Sequence, residues 1–345
     1  MGGDRAPQVV IEGASLFATK NENVQFLLFG NEKKIKPIIS HCRNLKNRFR
    51  IIHTEDFITA DEKPSIALRR GTNSSMRLAI DAVKLGEADV AVSAGNTGAL
   101  MAIAKIILRP MSSIDRPAIV TTMPNKKGRS TVFLDMGANI DCDAHILFQF
   151  AIMGCAFARA AMNIANPKIG VLNVGSEELK GHDDVRNVAT MLKNSNFASQ
   201  YHGYVEGDDI AKGEVDVIVT DGFTGNITLK AIEGTAKMIS GIIKQGFMSS
   251  VLAKFGYLLA SLSLKKSIKL VDPRYYNGAM LVGLNGIVVK SHGGTDAIGF
   301  ANSIKVASSL VEQKINEKIL KDIAIAEESI KSAQNNENKE DENQK

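Results

Sequence analysis

The chain has 345 residues, 44% hydrophobic and 23% charged, with a formal charge of +5, enough to bury one large core or two modest ones. No run of 18 apolar residues is present to span a bilayer, and the amino-terminus carries no apolar signal segment. Three cysteines (Cys42, Cys142, Cys155) without paired spacing speak against a disulfide framework or a zinc site, and a cytoplasmic protein is expected. The lack of Trp and of aromatic–basic interleaving speaks against nucleic acid.

In chain order, apolar runs expected to be strands lie at Val24–Phe29, Phe49–His53, Asp89–Ser93, Ala118–Thr122, Thr131–Leu134, Lys168–Asn173, Val215–Thr220 and Ile287–Lys290. Helical patterns alternate with them at Asn73–Leu85, Ala99–Ile107, Ala144–Ile164, Asp183–Leu192, Asn226–Ile243 and Thr295–Ala333. Continuous Val/Ile/Leu runs indicate strands covered on both faces, hence an α/β fold with a parallel or mostly parallel sheet and helices on each side. The region Gly246–Gly286 breaks this rhythm. The Asn/Glu/Lys-rich stretch 334–345 is expected to be disordered, leaving 1–333 as one catalytic unit.

Strand ends carry glycine-bearing turns. Val92-Ser-Ala-Gly-Asn-Thr-Gly98 and Val219-Thr-Asp-Gly-Phe-Thr-Gly225 are near-repeats, each entering a helix, where unpaired N–H groups and the dipole suit an anion. Leu134-Asp-Met-Gly-Ala-Asn139, Leu172-Asn-Val-Gly-Ser-Glu177 and Ser291-His-Gly-Gly-Thr-Asp296 end strands in the same way. Because ligands gather at strand carboxyl ends in open α/β sheets, all five are expected on one rim. A phosphate cradle follows from Gly95, Asn96, Thr97, Gly98, Gly222, Thr224 and Gly225. Asp135, Asn139 and His292 stand beside it either as ligand groups or as structural turn residues.

These motifs, together with Met1-Gly-Gly-Asp-Arg-Ala-Pro7, Arg69-Arg-Gly-Thr-Asn-Ser-Ser-Met76, Val171-Leu-Asn-Val-Gly-Ser-Glu-Glu-Leu-Lys-Gly181 and His292-Gly-Gly-Thr-Asp-Ala297, resemble the soluble phosphate acyltransferases of bacterial phospholipid synthesis. The resemblance covers nearly all of residues 1–310. It implies synthesis of acyl phosphate from acyl-acyl-carrier protein and inorganic phosphate, without metal or cofactor. It also implies a three-layer α/β/α fold of the isocitrate/isopropylmalate dehydrogenase type, a homodimer, and a membrane-touching helical hairpin over 246–276. The membrane glycerol-3-phosphate acyltransferase is a further implied partner. Members of the family carry a short strand ending in Asp-Ala ahead of Met-Gly-Gly-Asp; here the sequence starts at that Met.

Attack of phosphate on a thioester needs a held phosphate, a stabilised oxyanion and a seat for the carrier, but no enzyme nucleophile. Under the resemblance Lys180 is the catalytic cation. Asn226 is an oxyanion donor or only a helix cap, and Asp221 holds Lys180 or a phosphate proton or is a plain turn residue. Phe247, Val251, Phe255, Leu258, Leu259 and Leu262 follow helical spacing, with Lys254, Lys265 and Lys266 at the margin. They form either a core helix or an amphipathic element facing an anionic membrane or the acidic carrier. The rivals are a coenzyme A-dependent phosphate acetyl- or butyryltransferase and a non-catalytic peripheral scaffold. A decarboxylating dehydrogenase would need clustered aspartates for a metal and an arginine set for its substrate, and neither is found.

Overall fold

A computed structural model of the protein describes the backbone of residues 1–269 and 272–343, and side chains at 1–261 and 272–329. The expected tail, 334–345, and the expected contacts Leu262, Lys265 and Lys266 lie outside the described side chains. The amino-terminal part comprises α1 (Gln8–Ala18), β1 (Phe26–Gly30), α2 (Glu32–Ser40), β2 (Phe49–His53), α3 (Pro64–Arg70) and α4 (Ser75–Lys84). β1 and β2 form a small parallel sheet of their own, with Phe26 opposite Phe49.

The main sheet follows. Its chain order is β3 (Val90–Ser93), α5 (Thr97–Leu108), β4 (Ala118–Pro124), β5 (Ser130–Leu134), α6 (Ala144–Met162), β6 (Ile169–Leu172), α7 (Asp183–Lys193), β7 (Tyr201–Val205) and β8 (Val217–Val219). Then come α8 (Gly222–Met248), α9 (Val251–Lys269), β9 (Ala279–Val282), β10 (Ile287–Lys290), α10 (Ala297–Glu312) and α11 (Ile315–Asn343). Helix starts are set locally: Asn31, Ser74, Asn96, Asp143, Asp221 and Asp296 each cap a backbone N–H of the first turn with the side chain. Spatial strand order is β3-β10-β9-β4-β5-β8-β6-β7.

The sheet is mixed, with most pairings parallel. β3/β10 and β5/β8/β6/β7 are parallel, whereas β10/β9, β9/β4 and β4/β5 are antiparallel. Two strands escape the sequence pattern. β9 is a four-residue segment within the region read as irregular, and β7 is an edge strand whose register on β6 slips between Tyr201 and Gly203. A five-residue loop joins β4 to β5, where Asn125 Oδ1 accepts the N–H groups of Lys127 and Arg129 and Gly128 takes φ +70°. This hairpin reverses the chain inside the sheet. β3, β10 and β4 run one way, and β9, β5, β8, β6 and β7 the other.

The expectation of one rim for all five glycine turns therefore fails. The ends of β3 and β10 open on one edge of the sheet, and those of β5, β8 and β6 on the opposite edge. Helices cover both faces. Under one, α5 packs Ala99, Leu100 and Ile103 on Ala91, Ile119, Leu281 and Val288. Under the other, α6 is buried around most of its circumference, with α7, α10 and α11 against Val132, Val171, Val217 and Val289. Among the described residues α6 is the one helix long and apolar enough to cross a bilayer, and that apolarity is spent on the core. A third cluster joins α1, α2 and β1 to Phe300 and Ile304 of α10.

Gly225 separates packing from propensity. A methyl group there would lie 1.9 Å from the carbonyl oxygen of Asp135, whereas one at Gly234, further along the same helix, meets nothing within 4 Å. Gly225→Ala is expected to lower stability by about 3 kcal/mol or more, and Gly234→Ala to leave it unchanged or raise it by up to about 1 kcal/mol. Urea unfolding midpoints of the two variants check this.

Candidate active site

The rim at β5, β8 and β6 is organised by Asp135, which is fully buried. Its Oδ1 accepts N–H groups from Ile119 (2.9 Å), Gly137 (3.2 Å) and Ala138 (3.1 Å). Its Oδ2 accepts from the backbone (2.7 Å) and side-chain amide (3.0 Å) of Asn139. Burial pushes its pKa up, and these donors oppose that by favouring the ionised form. Since every partner is a donor, the carboxylate is the form this nest fits. Asn139 also donates to Pro117 O, and its carbonyl accepts Gly222 N–H at 2.7 Å.

The second glycine-threonine-glycine turn is docked on that loop. Gly222 and Gly225 press on Asn139 and Asp135, and Asn226 sits against Gly137. Asp221 caps its own helix, accepting Thr224 N–H at 2.8 Å and the Thr224 hydroxyl at 2.7 Å. The N–H groups that would cradle an anion are thus largely committed, and a carboxylate already stands at the helix end. Lys180 lies on the exposed loop after β6 on the same rim, its carbonyl accepting from Asn173. A depression of about 360 Å³ lies beside that loop, lined by Ser176, Glu178, Lys193, Tyr201, His202 and Tyr204.

The opposite edge holds the first turn. Asn96 caps α5 by accepting Ala99 N–H at 3.0 Å, and its amide donates to the carbonyls of Thr59, Ala60 and Glu62. Thr97 and Gly98 are exposed, and neither N–H has a partner among the described residues. Gly95 N–H is turned to Ser93 Oγ (3.2 Å). The cap is neutral here, so an anion arriving at α5 meets the positive helix end without a carboxylate at the capping position.

His292 shares this edge, with its N–H on Asn277 Oδ1 and its Nδ1 accepting from Gly294. The Met1-Gly-Gly-Asp-Arg segment braces the same place. A side chain at Gly3 would crowd Ala94, Asp4 N–H reaches Gly293 O, and Arg5 donates to the carbonyls of Gly294 and Thr295. Lys290, at the end of β10, is half-buried. Burial pushes its amine down to about 8, opposed by the Asp4 carboxylate. Asp4, Arg5 and Lys290 were not singled out from the sequence; the cue for Lys290 is a lone charge closing the apolar run Ile287-Val-Val.

The structure therefore brings Gly95, Asn96, Thr97, Gly98 and His292 together on one edge. It gathers Asp135, Asn139, Lys180, Asp221, Gly222, Thr224, Gly225 and Asn226 on the other. β3 and β8 stand five strand spacings apart, roughly 20–25 Å of sheet breadth. Within one chain the two groups do not share a phosphate. Among the described residues no group of three His, Cys, Asp or Glu converges to hold a metal ion.

Beyond Leu229, α8 leaves the body of the fold. Met238, Ile239, Ile242 and Ile243 are exposed. α9 folds back along it after two residues, and Phe247 and Tyr257 pack with ring centroids 5.2 Å apart. Val251 (84%), Phe255, Leu258 and Leu259 are exposed, as is Lys254, while Phe247 is half-buried. The stripe is thus not a core helix in this chain.

The fold is shared with phosphotransacetylases. A phosphotransacetylase from Streptococcus pyogenes superposes with a TM-score of 0.55 at 17% identity, covering 88% of this chain and 98% of that one. A phosphotransacetylase from Staphylococcus aureus gives 0.51 at 14%, covering 87% and 99%. The family is fixed by sequence: the model of the fatty acid synthesis protein family matches residues 1–318, and the chain belongs to that family. Curated relatives named phosphate acyltransferase include that of Rhodospirillum centenum, 52% identical over 333 residues (96% of this chain, 94% of the relative). That of Paramagnetospirillum magneticum is 51% identical over 322 residues (93% and 92%).

Asp135→Asn replaces an acceptor by a donor in a nest that supplies only donors. It is expected to lower stability by about 3 kcal/mol, because buried groups are left facing each other unpaired. Chemical denaturation measures the loss, and an unchanged midpoint would show that the nest is not needed.

Proposed function

We propose that this chain is an acyltransferase of fatty acid and phospholipid synthesis that moves an acyl group from a carrier-protein thioester to inorganic phosphate. Membership of the family and the shared name of relatives at about 50% identity support the acyl-phosphate chemistry. The observation that carries the phosphate's place is the α5 turn, with exposed, unpartnered N–H groups at Thr97 and Gly98 under a neutral Asn96 cap.

A hydrogen phosphate oxygen attacks the thioester carbonyl. The new C–O bond forms, the C–S bond breaks, and the phosphate's proton ends on the departing thiol. The sum is HPO4 2− plus thioester giving acyl phosphate dianion plus free carrier thiol, so no outside base or co-reactant is consumed. The protein's part is to hold the dianion at α5 and to orient the thioester above it. In this reading His292, on the neighbouring loop, meets the same group.

Lys180, with Asp221 and Asn226, takes the carrier's side of the reaction in this reading. An exposed cation after β6, six strand spacings or roughly 29 Å of sheet breadth from β3 and at the opposite edge, is screened from the phosphate turn in water, and in this reading it attracts an acidic carrier. A homodimer is the second arrangement, in which a partner's Lys180 loop could approach the α5 turn. The fold is read as the isocitrate/isopropylmalate dehydrogenase type, one catalytic unit over 1–333. The outer part of α8 with α9 is its inserted amphipathic hairpin, a peripheral anchor on the inner membrane face that positions the product for the membrane glycerol-3-phosphate acyltransferase.

Thr97→Pro tests the phosphate turn with little harm to the fold. The first helical position tolerates Pro, and Asn96 is already extended (φ −55°, ψ 123°), as a residue before Pro must be. Loss of one N–H and a hydroxyl is expected to raise the KM for phosphate by about tenfold, with the carrier thioester KM unmoved. Lys180→Ala should do the reverse. Formation of acyl phosphate only from coenzyme A thioesters would replace the carrier-protein reading. No product from either donor would remove the enzyme reading.

For the hairpin, Leu258→Glu is expected to lower co-sedimentation with vesicles containing anionic lipid by about fivefold or more. Unchanged binding would mean that the stripe meets something other than lipid.

A further inference from the structure

Lys290 has no role in the reaction as built so far. Residues of β10 alternate between the two faces of the sheet. Val289 packs with α6 and α10, whereas Val288 lies with Ala91, Ala99 and Leu100 beneath α5. Lys290 repeats the face of Val288 two residues, roughly 7 Å, nearer the rim, which is the level of the first turn of α5. In register it stands beside Ser93, the residue whose hydroxyl holds Gly95 N–H.

The amine donates to the carbonyl of Ser291, which uses one of its three N–H groups. Asp4 lies close enough to favour its charge, yet no ion pair forms between them among the described residues. Lys63 is solvent-exposed, and two other cations at this edge are committed elsewhere. Arg5 is spent on the carbonyls of Gly294 and Thr295, and Arg274 on Asp272 and Asp296. The Met1 amine is buried, which disfavours its charged form. His292 Nδ1 is occupied as an acceptor. A structural cap on Ser291 would not need a long side chain with two further donors drawn out of water at a cost to its charge.

We propose that Lys290 is the cation of the acyl-acceptor subsite, its amine gripping from below the same phosphate that the N–H groups of Thr97 and Gly98 hold from above. The inference rests on the phosphate acyltransferase reading and adds to it a binding residue that touches the nucleophile. The ammonium offsets part of the dianion's charge and fixes which oxygen faces the thioester. Asp4 opposes the effect of burial and favours the charged amine without taking it as a partner, so binding breaks no ion pair.

The test uses the full chain, acyl-carrier-protein thioester and inorganic phosphate, with Lys290→Met, Lys290→Arg and wild type compared by steady-state kinetics after matched thermal melts. Lys290→Met is expected to raise the KM for phosphate about thirtyfold or more and leave the thioester KM within about twofold, and Lys290→Arg to recover part of the loss. An activity-independent readout accompanies it. Trace acetylation of wild type near pH 8 should modify Lys290 ahead of exposed lysines, and millimolar phosphate should slow that site about fivefold or more while equimolar sulfate-free chloride does not. A folded Lys290→Met enzyme with an unchanged phosphate KM, or acetylation indifferent to phosphate, overturns the role of Lys290 while acyl phosphate synthesis by wild type still stands. If Lys290→Met does not fold, the labelling on wild type decides alone. Failure of wild type to form acyl phosphate would instead sink the underlying reading.

Discussion

The buried carboxylate of Asp135 is the interaction on which the centre of this molecule depends. It ties the first residues of β4 to the end of β5 through Ile119, and folds the following loop around itself through Gly137, Ala138 and Asn139. The adjacent backbone extends the tie. Asp135 N–H donates to Thr220 O, and the Asp135 carbonyl is the wall on which Gly225 rests. A charged group in so dry a place is tolerable only when its donors are fixed in advance. At Gly222 and Gly225 any side chain would push this nest apart, and at Gly137, held at φ +121°, it would crowd Asn226.

The β4–β5 reversal has an equally wide effect. An unbroken parallel sheet would line up every strand end on one edge, and a single rim would collect every glycine turn. One five-residue loop divides them into two edges with different electrostatics. At one, a carboxylate caps α8; at the other, an amide caps α5. Two near-identical sequences thus end in opposite chemistry. The difference between Asp221 and Asn96 at the capping position decides which of them has room for a negative ligand.

Much of this architecture was legible in the sequence. The six apolar runs from Asp89 onward became strands close to their expected limits, because a short Val/Ile run covered on both faces of a sheet has few alternatives. β9 stayed hidden because its neighbours in sequence belong to the exposed hairpin, and β7 because an edge strand with His202 and Gly203 lacks the apolar signature. The near-repeat identified real helix entries, yet strand direction is not written in either copy. Direction is set by a hairpin between them, and a local motif cannot report it. Asp4 and Lys290 illustrate the same limit: they meet only through the tertiary docking of the first five residues on the loop after β10.

The long projecting helix has a thermodynamic side. α8 and α9 carry Gly234, Gly241, Gly246 and Gly256, around which nothing lies within 4 Å, so no packing requirement explains them. Each costs about 1 kcal/mol against alanine in a helix, and a solvated helix has little tertiary burial to offset it. The hairpin therefore stands near its own helix–coil balance, on the low rung of a stability ladder whose top is the Asp135 nest. Its order is governed by whatever covers Val251, Leu258 and their neighbours, which makes docking and folding of this segment a single coupled equilibrium.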